Sequence, residues 1–228
     1  MKSGNIVFYF DDILVDKTLS IYRKIRNNWS RFHMWFTDYG PLNVNQIYER
    51  KTEILFEWLL KDVIKERPPE EIVATMLHIS ELFNSLPGDI YSENIITDFA
   101  KKTLLNPMYI ENASVNKIFI LAAYDSNNDK AIKKKIISSV FNHTKIIPIL
   151  YPAKKDIISV MRENGISYNL YVTDSIRDIR TLCEANNGYR KEFLVPRFGY
   201  MDFPDDLRKL IEYSGGSVNL YDPKKELE

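Results

Sequence analysis

An α/β fold with a parallel sheet, interrupted after its first strand by an all-helical insert, is what this sequence predicts. Three observations carry that expectation. The run Ile6-Val7-Phe8-Tyr9-Phe10 is short, β-branched and aromatic, and it stops at Asp11-Asp12, as a buried strand does. The stretch from there to about residue 105 shows helical spacing and no convincing strand. From Asn116 onward, short apolar runs alternate with helical segments, a rhythm that builds βαβ crossovers and a parallel sheet.

Within the helical stretch, Ile54, Leu55, Trp58, Leu59 and Ile64 recur at helical spacing, as do Ile72, Val73, Met76, Leu77, Leu82 and Phe83. Pro68-Pro69 opens the second of these helices and Pro87-Gly88 closes it. A further helix is expected over 93–104. Strands are then expected at 118–122, 145–150, 170–172, 193–195 and 217–221, with helices over 129–141, 154–163, 176–184 and 204–213. The gap between the first strand and the rest of its sheet is far longer than a loop, so it is an inserted subdomain. The predicted organisation is a Rossmann-like core domain, 1–16 with 113–228, and a helical cap, 17–112. In such sheets ligands bind at the carboxyl ends of the strands, here beneath the insert.

The bulk composition narrows the function classes. The chain has 228 residues, 45% hydrophobic and 27% charged, the balance of a soluble globular protein able to bury a core unaided. Cys183 is the only cysteine, so no intrachain disulfide is possible, which suits a reducing compartment; its helical spacing marks a core position. Lys+Arg and Asp+Glu are both 31, and that neutrality removes the electrostatic case for a dedicated nucleic-acid binder. No apolar run is long enough to span a bilayer, and residues 1–5 lack the layout of a signal peptide. A cytoplasmic protein without a membrane segment is expected. The abundance of Ile, Asn and Lys suggests an AT-rich genome such as that of a phage or virus, and then the host cytoplasm.

Four strand ends can be read as one site. They are Phe8-Tyr9-Phe10-Asp11-Asp12-Ile13-Leu14-Val15-Asp16, then Leu121-Ala122-Ala123-Tyr124, then Lys154-Lys155-Asp156, then Val172-Thr173-Asp174-Ser175-Ile176-Arg177-Asp178. In these segments the sequence resembles the haloacid dehalogenase superfamily, rich in Mg-dependent phosphatases, and within it the 5'(3')-deoxyribonucleotidase branch. The family's first motif is a strand followed by Asp-x-Asp-Gly-(Thr/Val)-Leu. Laid on this chain without a gap, the resemblance puts Asp11 at the second aspartate, the general acid/base. Tyr9 then stands where the aspartate nucleophile would be, and Asp12 where the glycine would be. It implies that Asp174 and Asp178 hold Mg²⁺ together with Asp11, and that Lys154 or Lys155 steadies nucleophile and phosphate. Ala122 falls where the second motif carries its phosphate-binding Thr or Ser. A two-residue shift would instead make Asp11 the nucleophile, with Asp12 contributing only through a bulged turn.

Phosphoryl transfer of this kind needs a carboxylate nucleophile and a metal to offset the charge. A phenol with pKa near 10 is protonated at neutral pH, and an alanine donates nothing to a phosphate. The site therefore reads as impaired, in a protein that binds a protein partner or a phosphorylated ligand such as a nucleotide. The alternative is an active Mg-dependent phosphomonoesterase. Plainer readings stand beside these. Asp174-Ser175 can be a helix N-terminus, and Lys133-Lys134-Lys135 a solvated helix face. Trp29, Trp35 and Phe36, with His33 and Tyr39, can stack a nucleobase but suit packing between cap helices better. His33, His78 and His143 show neither zinc nor triad spacing.

Overall fold

The computed structural model describes residues 4–16, 96–112, 114–185, 188–196 and 204–221. The chain divides into two compact units, Met1–Val15 with Ile96–Glu228, and Asp16–Ile95. The helices expected between residues 17 and 92, with Trp29, Trp35 and Phe36, lie outside the described residues. The second junction falls at Ile96 rather than at 113, for a local reason. Ile96 bridges Val15 antiparallel, the Thr97 N–H donates to the Leu14 carbonyl at 3.1 Å, and the Thr97 hydroxyl donates to the Ile13 carbonyl at 2.6 Å. The chain thus re-enters the first unit beside the turn where it left.

Among the described residues the first unit runs β1 (Gly4–Tyr9), α1 (Asp98–Lys102), α2 (Pro107–Ile110), β2 (Val115–Tyr124), α3 (Asn127–Val140) and β3 (Ile146–Pro152). It continues with α4 (Ile157–Glu163), β4 (Leu170–Val172), α5 (Ile176–Glu184), β5 (Glu192–Pro196), α6 (Asp205–Tyr213) and β6 (Ser217–Tyr221). All six strands join one parallel sheet in the order β3-β2-β1-β4-β5-β6, the Rossmann-like α/β arrangement the alternation predicts. Each expected strand is present. Helix α4 begins at Ile157 rather than at 154, because the Asp156 carboxylate caps it by accepting from the Ser159 N–H at 2.9 Å.

Side chains alternate across the sheet, so each strand feeds two layers. Val7, Phe119, Leu121, Tyr171, Phe193 and Val195 face one cluster, completed by α4, α5 and α6 through Val160, Ile179, Leu182, Leu207 and Ile211. Phe8, Ile118 and Ile120, of the opposite parity, are also fully buried, and the Phe8 ring meets Phe99 of α1 at 6.2 Å. Helix α3 packs on β2 and β3. Among these strands β3 is at the edge, which is why it tolerates Pro148 and Pro152: a proline there interrupts no ladder on its open side.

The central strand is β1. Its residues pair with β2 on one side (Val7↔Phe119, Tyr9↔Leu121) and with β4 on the other (Val7↔Tyr171, Phe8↔Val172). From β1 the chain lays β2 and β3 one way, then crosses to lay β4, β5 and β6 the other way. The carboxyl ends of β1 and β4 therefore flank the switch point, where an open α/β sheet leaves a crevice.

The start of β1 is drawn against the entry to β4. The Asn5 N–H donates to Asn169 Oδ1 at 3.0 Å, the Asn169 N–H to the Asn5 carbonyl at 2.8 Å, and Asn5 Nδ2 to the Ser167 carbonyl at 2.8 Å. The Asn169 side chain fills the space over Gly4, and a Cβ there would stand 2.1 Å from Oδ1 and 2.3 Å from Cγ. Gly4→Ala is expected to expel Asn169, break the bond to the Asn5 N–H and cost about 1–2 kcal/mol. A shift of that size in a denaturant midpoint at unchanged slope would establish it, and an unchanged midpoint would refute it.

Candidate functional site

Beyond β1 the backbone folds into a tight turn. The Phe10 N–H donates to the Leu121 carbonyl at 2.9 Å. The Phe10 carbonyl accepts from the N–H groups of Leu14 and Val15, and the Asp12 N–H donates to the Val15 carbonyl. Asp12 has φ 59°, the one non-glycine residue with positive φ among the described residues. That region belongs to glycine, with aspartate and asparagine the side chains that tolerate it best. The position laid on the family's glycine thus has a glycine's backbone.

Asp11, in this turn, meets a cation the sequence reading placed elsewhere. Lys133 of α3 is 2% exposed, and its Nζ donates to Asp11 Oδ2 at 2.9 Å and to the Ala123 carbonyl. Asp129 Oδ2, one helical turn back, lies 3.5 Å from the same ammonium, and the Phe10 ring centroid lies at 5.9 Å. Asp129 is itself anchored: its Oδ2 accepts from the Asp125 N–H at 3.1 Å, and its N–H donates to the Ser126 hydroxyl that caps α3. Helical geometry explains the burial. Asp129, Lys133, Ile136 and Ile137 share one stripe, and Lys134 and Lys135 fall outside it and are exposed. The solvated-face reading holds for those two and fails for Lys133.

On the other side of the turn stands a tyrosine–carboxylate cluster. Tyr9 packs with Tyr151 and Tyr171 against the layer built by α4 to α6. The Tyr171 hydroxyl donates to Asp178 Oδ2 at 2.8 Å. Burial, then the charges of Asp11, Tyr151, Asp178 and Asp174, push the Tyr9 phenol well above its ordinary value. Burial and then Asp178 do the same to Tyr171, and burial, Asp178 and Asp11 to Tyr151. All three phenols remain protonated donors at neutral pH. Asp178 moves in the same direction: burial raises its carboxyl to about 6, against the Tyr171 hydroxyl, Arg177 and Ser175, which favour the charge.

Local chemistry places Asp174 and Asp178. After β4, Thr173 Oγ1 accepts from the Ser175 N–H at 3.0 Å, and Ser175 Oγ caps α5 by accepting from the Asp178 N–H. The helix-N-terminus reading of Asp174-Ser175 is therefore correct, and it coexists with a position beside Tyr9. Burial of Asp174, 7% exposed, is greater than a plain cap requires.

Three expected members do not join. Lys154 is exposed, and Lys155 pairs with Glu163 at the far end of α4. Their strand, β3, is separated from β1 by β2, two strand spacings or roughly 10 Å, and the lysine at Asp11 is Lys133. Ala122 is fully buried, and because Tyr9 registers with Leu121, the Ala122 side chain points to the opposite face of the sheet from Tyr9. It is a core residue, two positions short of the end of β2.

Mg²⁺ on Asp11, Asp174 and Asp178 is what the resemblance implies, and this donor set does not fit one. Among the described residues no three carboxylate, imidazole or thiol side chains are placed to share an ion. The Asp11 carboxylate already holds an ammonium, and Asp178 accepts a hydrogen bond from the Tyr171 phenol. Nor is any helix among the described residues long and apolar enough to cross a membrane.

No family model matches the sequence, and no curated protein does. Among solved structures, the chain is similar to a haloacid dehalogenase-like hydrolase from Burkholderia xenovorans, with TM-score 0.44 and 15% identity over 100% of this chain and 99% of that one. It is also similar to a hydrolase from Streptococcus pneumoniae, with TM-score 0.42 and 12% identity over 100% and 97%.

The raised Asp178 carboxyl has a consequence for stability. A carboxyl with folded pKa about 6, above its ordinary 3.8, favours the folded state at low pH. The contribution is fully present below pH 3.8 and is lost as pH rises through 6. Asp178→Asn, whose amide oxygen still accepts from Tyr171, should flatten that part of the stability–pH curve and raise stability at pH 7 by about 2 kcal/mol. Urea titrations across this range would show it, and an Asp178→Asn curve parallel to the wild type would refute it.

Proposed function

We propose that this chain is a haloacid-dehalogenase-like domain that binds a partner without hydrolysing a phosphate ester. The carrying observation is Tyr9. At the end of the central strand, where the resemblance puts the aspartate nucleophile, stands a phenol held protonated by burial and by three neighbouring aspartates. A protonated phenol is a hydrogen-bond donor and a poor nucleophile, and the carboxylate that would attack phosphorus is missing.

Three further features support the family reading. The strand order brings the ends of β1, β2 and β4 side by side, as the motif order requires. Asp12 has the backbone of the motif glycine under the ungapped alignment, which favours that alignment over the two-residue shift. Asp174 and Asp178 keep the spacing of the fourth motif on the turn after β4. Ala122 no longer counts toward impairment, since it lies on the other face of the sheet.

Of the two ligand classes, site charge favours a protein partner over a phosphorylated compound. Asp11 is already paired with Lys133, which leaves Asp174 and Asp178 beside Tyr9, and a phosphate dianion brought among them would be repelled unless a divalent cation came with it. A basic side chain of a protein would be attracted.

The test is phosphate release from a panel beginning with deoxynucleoside monophosphates, the substrates of the branch the sequence most resembles, and including small phosphomonoesters. Each is assayed with Mg²⁺ and with EDTA, beside Asp174→Asn protein as a control for contaminating phosphatase. No release above that control is expected from folded protein. Metal-dependent release that disappears in Asp174→Asn would overturn the reading and make Asp11 the nucleophile.

A further inference from the structure

The misfit of the implied metal has a positive counterpart. Among the described residues, three oxygens lie against the Lys133 ammonium: Asp11 Oδ2 at 2.9 Å, the Ala123 carbonyl, and Asp129 Oδ2 at 3.5 Å. Two carboxylates and a backbone carbonyl are the hard donors that hold Mg²⁺ or Ca²⁺ in proteins. The backbone at Asp11 and Ala123, and the carboxylate of Asp129, are held by contacts other than the lysine. Asp11 sits in the turn closed by the Phe10 carbonyl, Ala123 lies within β2, and Asp129 is fastened by the Asp125 N–H. Lys133 reaches this cage from a helix anchored by Ile136 and Ile137, so the ammonium is delivered by the fold.

We propose that Lys133 is the resident cation of this site, an internal ammonium filling an oxygen cage that would otherwise take a divalent ion, so that the site is independent of metal. The inference deepens the binding function proposed above and rests on it. A site that performs no phosphoryl transfer has no use for an exchangeable Lewis acid, but its carboxylates still need a counter-charge. A lysine supplies one permanently, whatever the Mg²⁺ concentration around it.

The experiment is a Mn²⁺ titration of the chelator-stripped full chain, followed by electron paramagnetic resonance, with thermal melts in millimolar Mg²⁺ and in EDTA. Wild-type protein should take up no stoichiometric Mn²⁺ and melt at the same temperature in both buffers. Lys133→Met, similar in length and uncharged, should bind Mn²⁺ at least roughly tenfold more tightly than wild type and melt higher in Mg²⁺. Adding Asp11→Asn to Lys133→Met should abolish both gains. Stoichiometric Mn²⁺ binding by wild type, lost in Asp11→Asn, would overturn the inference. So would a folded Lys133→Met protein indifferent to metal. If Lys133→Met does not fold, the wild-type titration with its Asp11→Asn control decides alone. Mn²⁺ uptake without phosphate release would sink this inference and leave the binding function standing, whereas metal-dependent phosphate release would sink that function itself.

Discussion

The buried ammonium of Lys133 is the contact on which the arrangement at the strand ends depends. It ties together the turn after β1, the end of β2, and the first turns of α3. An ammonium so withdrawn from water is tolerable only where oxygens replace its hydration, and removing one partner of such a pair costs about 3–5 kcal/mol. The constraint is mutual. Asp11 cannot move toward a ligand without stranding the lysine, and α3 cannot slide along β2 without stranding Asp11.

The opposite flank shows a second accommodation. Tyr9, Tyr151 and Tyr171 converge on a region that also holds Asp174 and Asp178, and the Tyr171 phenol donates to the Asp178 carboxylate. A carboxylate buried beside aromatic rings needs such donors. Tyr171 meets the need directly at Asp178, and the remaining cost appears as the raised carboxyl. One side of the turn is thus neutralised by a cation and the other by hydrogen bonding.

Much of this was legible from residue order. Apolar runs located all six strands, since a strand buried on both faces has no other way to be written. Asp11, Asp174 and Asp178 could be expected near one another because each follows the carboxyl end of a strand, β1 or β4, and all three bear on Tyr9. The failures share a cause: sequence gives intervals along the chain, not neighbours across a sheet. Lys154 and Lys155 follow their strand at a plausible distance, but nothing in their order says that β3 is the outer strand. Ala122 could be aligned, but its parity against Tyr9 follows only from the register of β1 on β2. Lys133 hid inside a run of three lysines. Its signal was its place in the stripe of Asp129, Ile136 and Ile137, a position where a charge needs a buried partner. Tyr151 and Tyr171 carried no signal beyond that of ordinary strand aromatics.

The placing of β1 at the centre of the sheet bears on how the chain must be made. Ile6 pairs with Ile118 on one side and Leu170 on the other, so the strand synthesised first waits longest for its neighbours. At about 5–20 residues per second, a ribosome needs on the order of ten seconds to supply even the nearer partner. For that interval Ile6-Val7-Phe8-Tyr9-Phe10, an uncharged run of high strand propensity, is free to pair with the wrong chain. Its pairings are among the least local in the fold, and non-local strand pairing forms slowly. What shelters this first strand during synthesis therefore bears on the yield of folded protein, separately from the stability of the finished sheet.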